Sequence, residues 1–490
     1  MFPILEDSIY YLISIYGSKF FTFIYKIITA RILGPKDYGL WSVIALVLAY
    51  GNFLHLGLVY ALTREVSFYR GQGKMGEIDE IKNTVFSSLI FISTIACVAL
   101  LISSAYFKRY GNNIFIAVSL ISFILILQQL KNYLVYNFIA DKKFRAVSEF
   151  ILCASLLIGP IVIIFTKKFN FVGLPFGMLL GNCLFLLYMF IRYKPIIRFE
   201  INRQRLHSLI KIGFPLMMLS LTYSFFLTVD RILIFKYLGK ENLGYYNVAL
   251  ALYDALILFP FSLGVIIFPR LSERYGAEGE IKGLQKFIHT PTIIIAYVMP
   301  ALLGLIYLFL PSAIRILVPQ YTSGINAGRI ALAGIMFLSV SIFAQQFLVV
   351  INRQMHYLFI MLSALALKII VTYYFIIRHM GINGVAMGAN IVYFIYSTFI
   401  IVTASYYYKS NFIESAKYLI KIYLPFIYLL LVLLSLNYFR QTPILNAGNV
   451  ITHVSVNFIV LIIFIVVPFG YVIKKNLFAY LKLNIFQKKK

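Results

Sequence analysis

The feature that most constrains this chain is a series of apolar runs without a single charge. Residues 114–127, 150–165 and 454–467 contain none. With its flanks, each run reaches the roughly 20 residues that a helix needs to cross a hydrocarbon core about 30 Å thick. Inside lipid the backbone must satisfy its own hydrogen bonds. Runs this long therefore read as helices, since barrel strands would alternate over about 10 residues. Charged residues make up only 12% of the chain, against roughly 25% in soluble domains. A water-soluble fold of 490 residues is thereby excluded.

Apolar runs, read against charge and turn signals, predict 14 spans: 8–32, 39–63, 83–107, 113–140, 146–166, 170–191, 208–234, 245–269, 289–314, 325–352, 357–377, 382–406, 415–438 and 450–473. Lys19 and Lys26 interrupt the first, and no small-residue cleavage site follows, so a retained helix is expected there. Orientation follows from loop charge. With the N-terminus inside, the cytoplasmic loops, helix ends and tail carry 27 of the 44 Lys and Arg residues, and the opposite side carries 12. Both termini are expected in the cytoplasm. The net charge of +27 is thus read as topology beside anionic lipid, not as nucleic-acid binding. No loop is long enough for a soluble catalytic domain. Cys97, Cys153 and Cys183 lie far apart inside apolar runs, so neither a disulfide framework nor a metal site is expected. No cofactor is expected either.

The chain repeats itself. Leu33-Gly34-Pro35-Lys36-Asp37-Tyr38-Gly39 corresponds to Leu238-Gly239-Lys240-Glu241-Asn242-Leu243-Gly244 at an offset of 205. Leu56-Gly57 and Arg64 correspond to Leu263-Gly264 and Arg270. Val172-Gly173-Leu174-Pro175-Phe176-Gly177 corresponds to Asn383-Gly384-Val385-Ala386-Met387-Gly388. The unit spans six helices, an even number, so the two copies share one orientation. Such parallel repeats occur in alternating-access transporters, with the substrate site between the halves. The expected fold is an all-α integral membrane protein: an N-lobe at 1–206, a C-lobe at 207–410, and a C-terminal helix pair with a basic cytoplasmic tail at 411–490.

These residues resemble the polysaccharide transport branch of the multidrug/oligosaccharidyl-lipid/polysaccharide exporter superfamily, the Wzx-type O-antigen flippases. The similarity runs through Ala30-Arg31-Ile32-Leu33-Gly34-Pro35-Lys36-Asp37-Tyr38-Gly39-Leu40-Trp41, His55-Leu56-Gly57-Leu58 and Ala61-Leu62-Thr63-Arg64. It continues in Gly213-Phe214-Pro215, Asp230-Arg231, Gly244-Tyr245-Tyr246, Phe268-Pro269-Arg270-Leu271-Ser272 and Gly381-Ile382-Asn383-Gly384. The resemblance implies two six-helix lobes around a central cavity, cationic in the sugar flippases. It implies movement of undecaprenyl-pyrophosphate-linked repeat units, of O-antigen or of capsular or exopolysaccharide, from the cytoplasmic to the outer leaflet of a bacterial inner membrane. Partners would be the lipid-linked glycan, the bilayer and other polysaccharide assembly proteins. Two departures stand out. Helix 1 lacks the acid that drug-exporting relatives often use for cation coupling, and Lys368 stands where a neutral polar residue is expected.

A charge at the bilayer centre costs roughly 2.5–3.5 kcal/mol, so intramembrane ions should face water or partners. Lys19 and Lys26 share a helix face, Lys26 matches Arg231 at the repeat offset, and Lys131 and Lys368 add charge. These five cations are candidates to bind an anionic substrate. Asp230 and Asp254 are candidates for proton or sodium coupling, or for structural pairing. Arg64 and Arg270 fit cytoplasmic gate or topology roles. Asn132, Gln345, Gln346 and Asn352 are candidate contacts for sugar hydroxyls. Alternatives of the same superfamily are a lipid II flippase and a cation-coupled drug exporter. A membrane glycan polymerase or ligase fits less well, because the six histidines are scattered, and no phosphate-binding loop is present. The reading is of a non-enzyme.

Overall fold

The structure is a computed structural model that describes residues 2–195, 198–278 and 281–440, with side chains at 2–9, 252, 254, 255, 265, 266, 269, 270, 277, 278, 282 and 436–440 outside the description. Fourteen α-helices follow in order: α1 Phe2–Gly51, α2 Leu58–Gly71, α3 Met75–Phe107, α4 Asn112–Ala140, α5 Phe144–Tyr193, α6 Arg203–Leu238, α7 Lys240–Ala249, α8 Ala251–Leu256, α9 Leu258–Glu278, α10 Gln285–Leu317, α11 Ile325–Val350, α12 Gln354–Ile377, α13 Gly381–Tyr407 and α14 Phe412–Arg440. No strand occurs among the described residues. Ten helical stretches among them are long and apolar enough to cross a membrane.

The helices do not map one to one onto the expected spans. α1 carries a non-helical residue at Gly34 (φ 74°, ψ 170°), between the spans expected at 8–32 and 39–63. α5 carries one at Asn170 (φ 49°, ψ −127°), between the spans expected at 146–166 and 170–191. The span expected at 245–269 is broken into α7, α8 and α9. The expected span 450–473 and the basic tail lie outside the described residues.

α3 shows why these helices suit lipid. It exposes Phe91, Ile95, Val98 and Ile102, spaced three and four residues apart, and buries Asn83, Thr84, Ser87, Ser88 and Ser93. Water would reverse that pattern. In a bilayer the apolar stripe meets acyl chains, and small polar residues pack and hydrogen-bond inside.

Glycines set the closest approaches. A Cβ on Gly173 or Gly177 would collide with Phe165 or Val162, and one on Gly181 would crowd Ile158, so the two halves of α5 run antiparallel in close contact. At the far end of that pair, Tyr188 and Tyr193 donate to the Oε1 and Oε2 of Glu149, each at 2.5 Å. In the second half of the sequence, Gly384 packs against Phe375 and Gly388 against Phe375 and Thr372, joining α12 and α13 in the same way.

Backbone geometry repeats with the sequence. Gly239 adopts φ 87°, ψ 171°, close to Gly34 at 74° and 170°. This region is nearly closed to residues with a Cβ. Lys142 and Asn352 both turn at positive φ, 59° and 57°. The bonds around them are the same, Lys143 N to Phe138 O and Arg353 N to Leu348 O. The two Gly-turn motifs also meet reciprocally. Gly39 packs on the backbone of Lys240, and Gly244 on the backbone of Pro35. Positions 35 and 240, like 39 and 244, are 205 apart, so each motif makes the contact that its copy makes.

By compactness the chain divides into Met1–Val248 and Ala249–Lys490. The repeat places the lobe boundary near 206, two helices earlier. The difference is α6 and α7; α6 joins the first unit through Tyr50, stacked on Phe225 at 4.4 Å and bonded to Thr228 at 2.7 Å.

Candidate functional site: an amide-lined cavity with one lysine

Within the first unit, α4 presents Gln128, Lys131, Asn132, Val135 and Tyr136. Spacings of three, one, three and one residues put them on one face. This face lines a cavity of about 370 Å³ together with Asn52, at the end of α1, and Phe150 and Asn182 from the two halves of α5. The lining holds one cation and no acid.

Hydrogen bonds fix the amides. Asn52 Oδ1 accepts from Gln128 Nε2 at 3.1 Å and from Asn132 Nδ2 at 2.9 Å. Below them Gln129, fully buried, donates to Gly51 O at 2.7 Å and caps the end of α1. No bond from the Asn52 amide hydrogens is found among the described residues, so they are available to a ligand. Asn182 donates to Met178 O at 2.6 Å, and its buried Oδ1 has no partner among the described residues. Lys131 is half-buried. No hydrogen bond or ion pair to it is found among the described residues. A charged ammonium here is satisfied by water or by an anion entering the cavity. The arrangement can bind a polar, negatively charged group; it contains no nucleophile–base pair.

The structure places Lys131 and Asn132 together in this cavity, and none of the other candidate residues lines it. Lys19 is exposed and Lys26 half-buried on α1. Arg231 is half-buried on α6, eight residues before Gly239, as Lys26 is eight before Gly34. Asp230 is buried and accepts from Tyr246 Oη at 2.8 Å and from the Arg231 backbone N–H at 3.0 Å. Lys368 is fully buried in the second unit, where its Nζ donates to Tyr393 Oη at 2.8 Å. Gln345 bonds to Ser341 at 2.7 Å and accepts from Tyr357 at 3.1 Å. Gln346 lies against Gly264, and its Oε1 is buried without a partner. Asn352 is an exposed turn residue at positive φ, which asparagine tolerates. Arg64 is exposed on α2, 4.0 Å from Glu65. The side chains of Asp254 and Arg270 lie outside the described residues.

Sequence reasoning missed Asn52, Gln128, Tyr136 and Asn182. Gln128 and Tyr136 were findable, because they share the helical face of Lys131. Asn52 and Asn182 come from other helices, and nothing local marks them. A charge cluster was also missed. Asp141, in the turn after α4, accepts from Arg70 at 2.5 Å and Lys82 at 2.8 Å, with Lys143 at 3.9 Å. Burial pushes its carboxyl up, but the hydrogen bonds from Lys82 and Arg70 outweigh burial and hold it below the usual carboxylate range. Nearby, Arg205 at the start of α6 pairs with Glu77 and Glu80 on α3.

The fold has solved counterparts. An inward-facing multidrug resistance MATE family transporter of the MOP superfamily matches with a TM-score of 0.70 at 14% identity, covering 82% of this chain and 98% of that one. A MOP superfamily transporter from Pyrococcus furiosus, described as having a binding pocket of reversed polarity that suggests a different function, matches at 0.64 and 15% identity, covering 83% and 95%. None of the curated proteins matches the chain by sequence. At 14–15% identity the likenesses to these solved structures are of fold: a multi-pass helical bundle. The chain belongs to the polysaccharide biosynthesis protein family, whose pattern matches residues 4–274. The resemblance read from the sequence is borne out.

Proposed function

We propose that this protein is a flippase for undecaprenyl-pyrophosphate-linked oligosaccharide units, carrying them from the cytoplasmic to the outer leaflet by alternating exposure of a cationic site. The observation that carries this reading is the cavity at Lys131. It offers one ammonium, four carboxamides and the rings of Tyr136 and Phe150, and no acid lines it. A cation-coupled drug exporter needs the opposite polarity. Membership of a polysaccharide family supports the same substrate class.

The pyrophosphate requires positive charge of its own, and Lys26 and Arg231, at equivalent places in the repeat, supply it in this reading. The glycan crosses through polar surroundings while the polyprenyl chain stays in lipid. Moving a negative charge outward across an inside-negative membrane gains about 2.3 kcal/mol per charge per 100 mV, so the potential contributes to the driving force. Asp230, held by Tyr246, is the candidate for proton or sodium coupling. Whether the product is O-antigen, capsule or another polymer, and whether the lipid is lipid II, depends on the glycan accepted.

The test is reconstitution in liposomes with a fluorescent undecaprenyl-pyrophosphate glycan and a membrane-impermeant quencher, with and without an imposed potential. Potential-sensitive flipping above protein-free vesicles is expected. Export of a cationic drug without flipping of any glycan lipid would reverse the reading.

A further inference from the structure

We infer that the cavity at Lys131 is a seat for a single sugar residue that carries a carboxylate, distinct from the place that holds the pyrophosphate. The inference rests on the flippase reading for its biological meaning, but its chemistry is read from the cavity alone.

Charge comes first. A pyrophosphate brings about two negative charges and several acceptor oxygens, which ordinarily demand several cations. The cavity lining supplies one lysine. One ammonium balances one carboxylate. The donors agree with that count, since Asn52 lines the cavity and its amide hydrogens make no bond among the described residues. Lys131 and Asn52 together can satisfy the two oxygens of a carboxylate.

The remainder of the lining suits a polyol. Asn182 Oδ1 is a buried acceptor without a partner, so it costs free energy until a donor arrives. A carboxylate has no donor to offer it, and neither has a pyrophosphate esterified at both ends. A sugar hydroxyl has one. Tyr136 and Phe150 add aromatic surface to the lining, against which a sugar ring can pack. At about 370 Å³ the cavity falls near the small end of ligand pockets, which suits one ring rather than a chain.

The experiment uses the purified full-length protein in nanodiscs and isothermal titration with free D-glucuronate, methyl glucoside, acetate and inorganic pyrophosphate. Glucuronate is expected to bind about tenfold or more tightly than methyl glucoside or acetate, the range of one charge-assisted hydrogen bond. Lys131→Met should erase the preference over methyl glucoside, and Lys131→Arg should keep it. Asn182→Leu should weaken both sugars and leave the ratio between them. Equal binding of glucuronate and methyl glucoside would overturn the proposal. So would pyrophosphate displacing glucuronate from the wild type while failing to bind Lys131→Met, because the lysine would then serve the phosphate. Either result leaves the flippase reading standing, since that is decided by flipping in liposomes.

Discussion

Lys131 of the first unit and Lys368 of the second are alike in sequence, each a lysine deep in an apolar helix. Their settings differ. Lys131 faces a cavity and finds no protein partner among the described residues, while Lys368 is fully buried with its ammonium on Tyr393. The difference lies in what shares the helical face. Lys131 has Gln128 at i−3 and Asn132 at i+1, so a polar face continues around it. Lys368 sits within Ala364-Leu365-Ala366-Leu367-Lys368-Ile369-Ile370, with Thr372 at i+4 the one polar side chain on its face, and the hydroxyl on its ammonium comes from a tyrosine 25 residues away. A cation among polar neighbours marks an open site, and a cation among apolar ones marks an internal pair.

The contrast breaks most sharply on transport. Lys131→Glu places a carboxylate in a lining that has none, and flipping per folded molecule should fall at least about 100-fold, with Lys131→Met falling about tenfold, the cost of a charge-assisted bond. Initial rates of quencher-accessible substrate in proteoliposomes report this. Normal flipping by Lys131→Glu would remove the cavity from the transport path.

Lys368 should answer on stability instead. Lys368→Ala deletes a fully buried side chain, and about 3 kcal/mol of stability should be lost. Lys368→Met keeps the volume and removes the charge, so it should cost about 1 kcal/mol or less. Unfolding midpoints in detergent measure both. If Lys368→Ala unfolds like the wild type, Lys368 is not the packing group that its burial implies.

The two halves of the repeat allow a matched pair. Gly34→Ala and Gly239→Ala each force a Cβ into a backbone region nearly closed to it, and each should cost about 2 kcal/mol. Similar losses are expected because the angles are similar. A loss at one site alone would separate the two turns.

Legibility in the sequence followed the physics of each feature. Helices and membrane character were readable because lipid demands long apolar runs, and the repeat was readable because Gly34 and Gly239 need the same rare angles. Where a span breaks was less readable. The helices of α1 and α5 run through Gly34 and Asn170 with a single non-helical residue, whereas the segment 245–269 splits into three. Lys131 and Asn132 were legible as ionisable and polar groups in an apolar run. Asn52 and Asn182 were not, because their place in the cavity depends on how α1 and α5 pack on α4. Asn352 read as a sugar contact by composition, yet its copy Lys142 shows the position to be a turn.

The Asp141 cluster offers the smallest and most sign-specific test. It lies in the turn after α4, where Arg70, Lys82 and Lys143 converge, and the turn at its repeat copy carries Ile351 in place of the acid. Such a partly solvated network is worth about 1 kcal/mol, so Asp141→Asn should lower the unfolding midpoint slightly at neutral pH. The carboxyl is held below the ordinary range in the folded protein, and the unfolded value is about 3.9. A group lowered on folding contributes its stability above the unfolded pKa and loses it as pH falls through the folded one. The gap between wild type and Asp141→Asn should therefore stay constant from neutral pH to about pH 5 and close in stronger acid. A gap that widens toward acid would have the opposite sign and would mean that burial, not the three cations, governs this carboxylate.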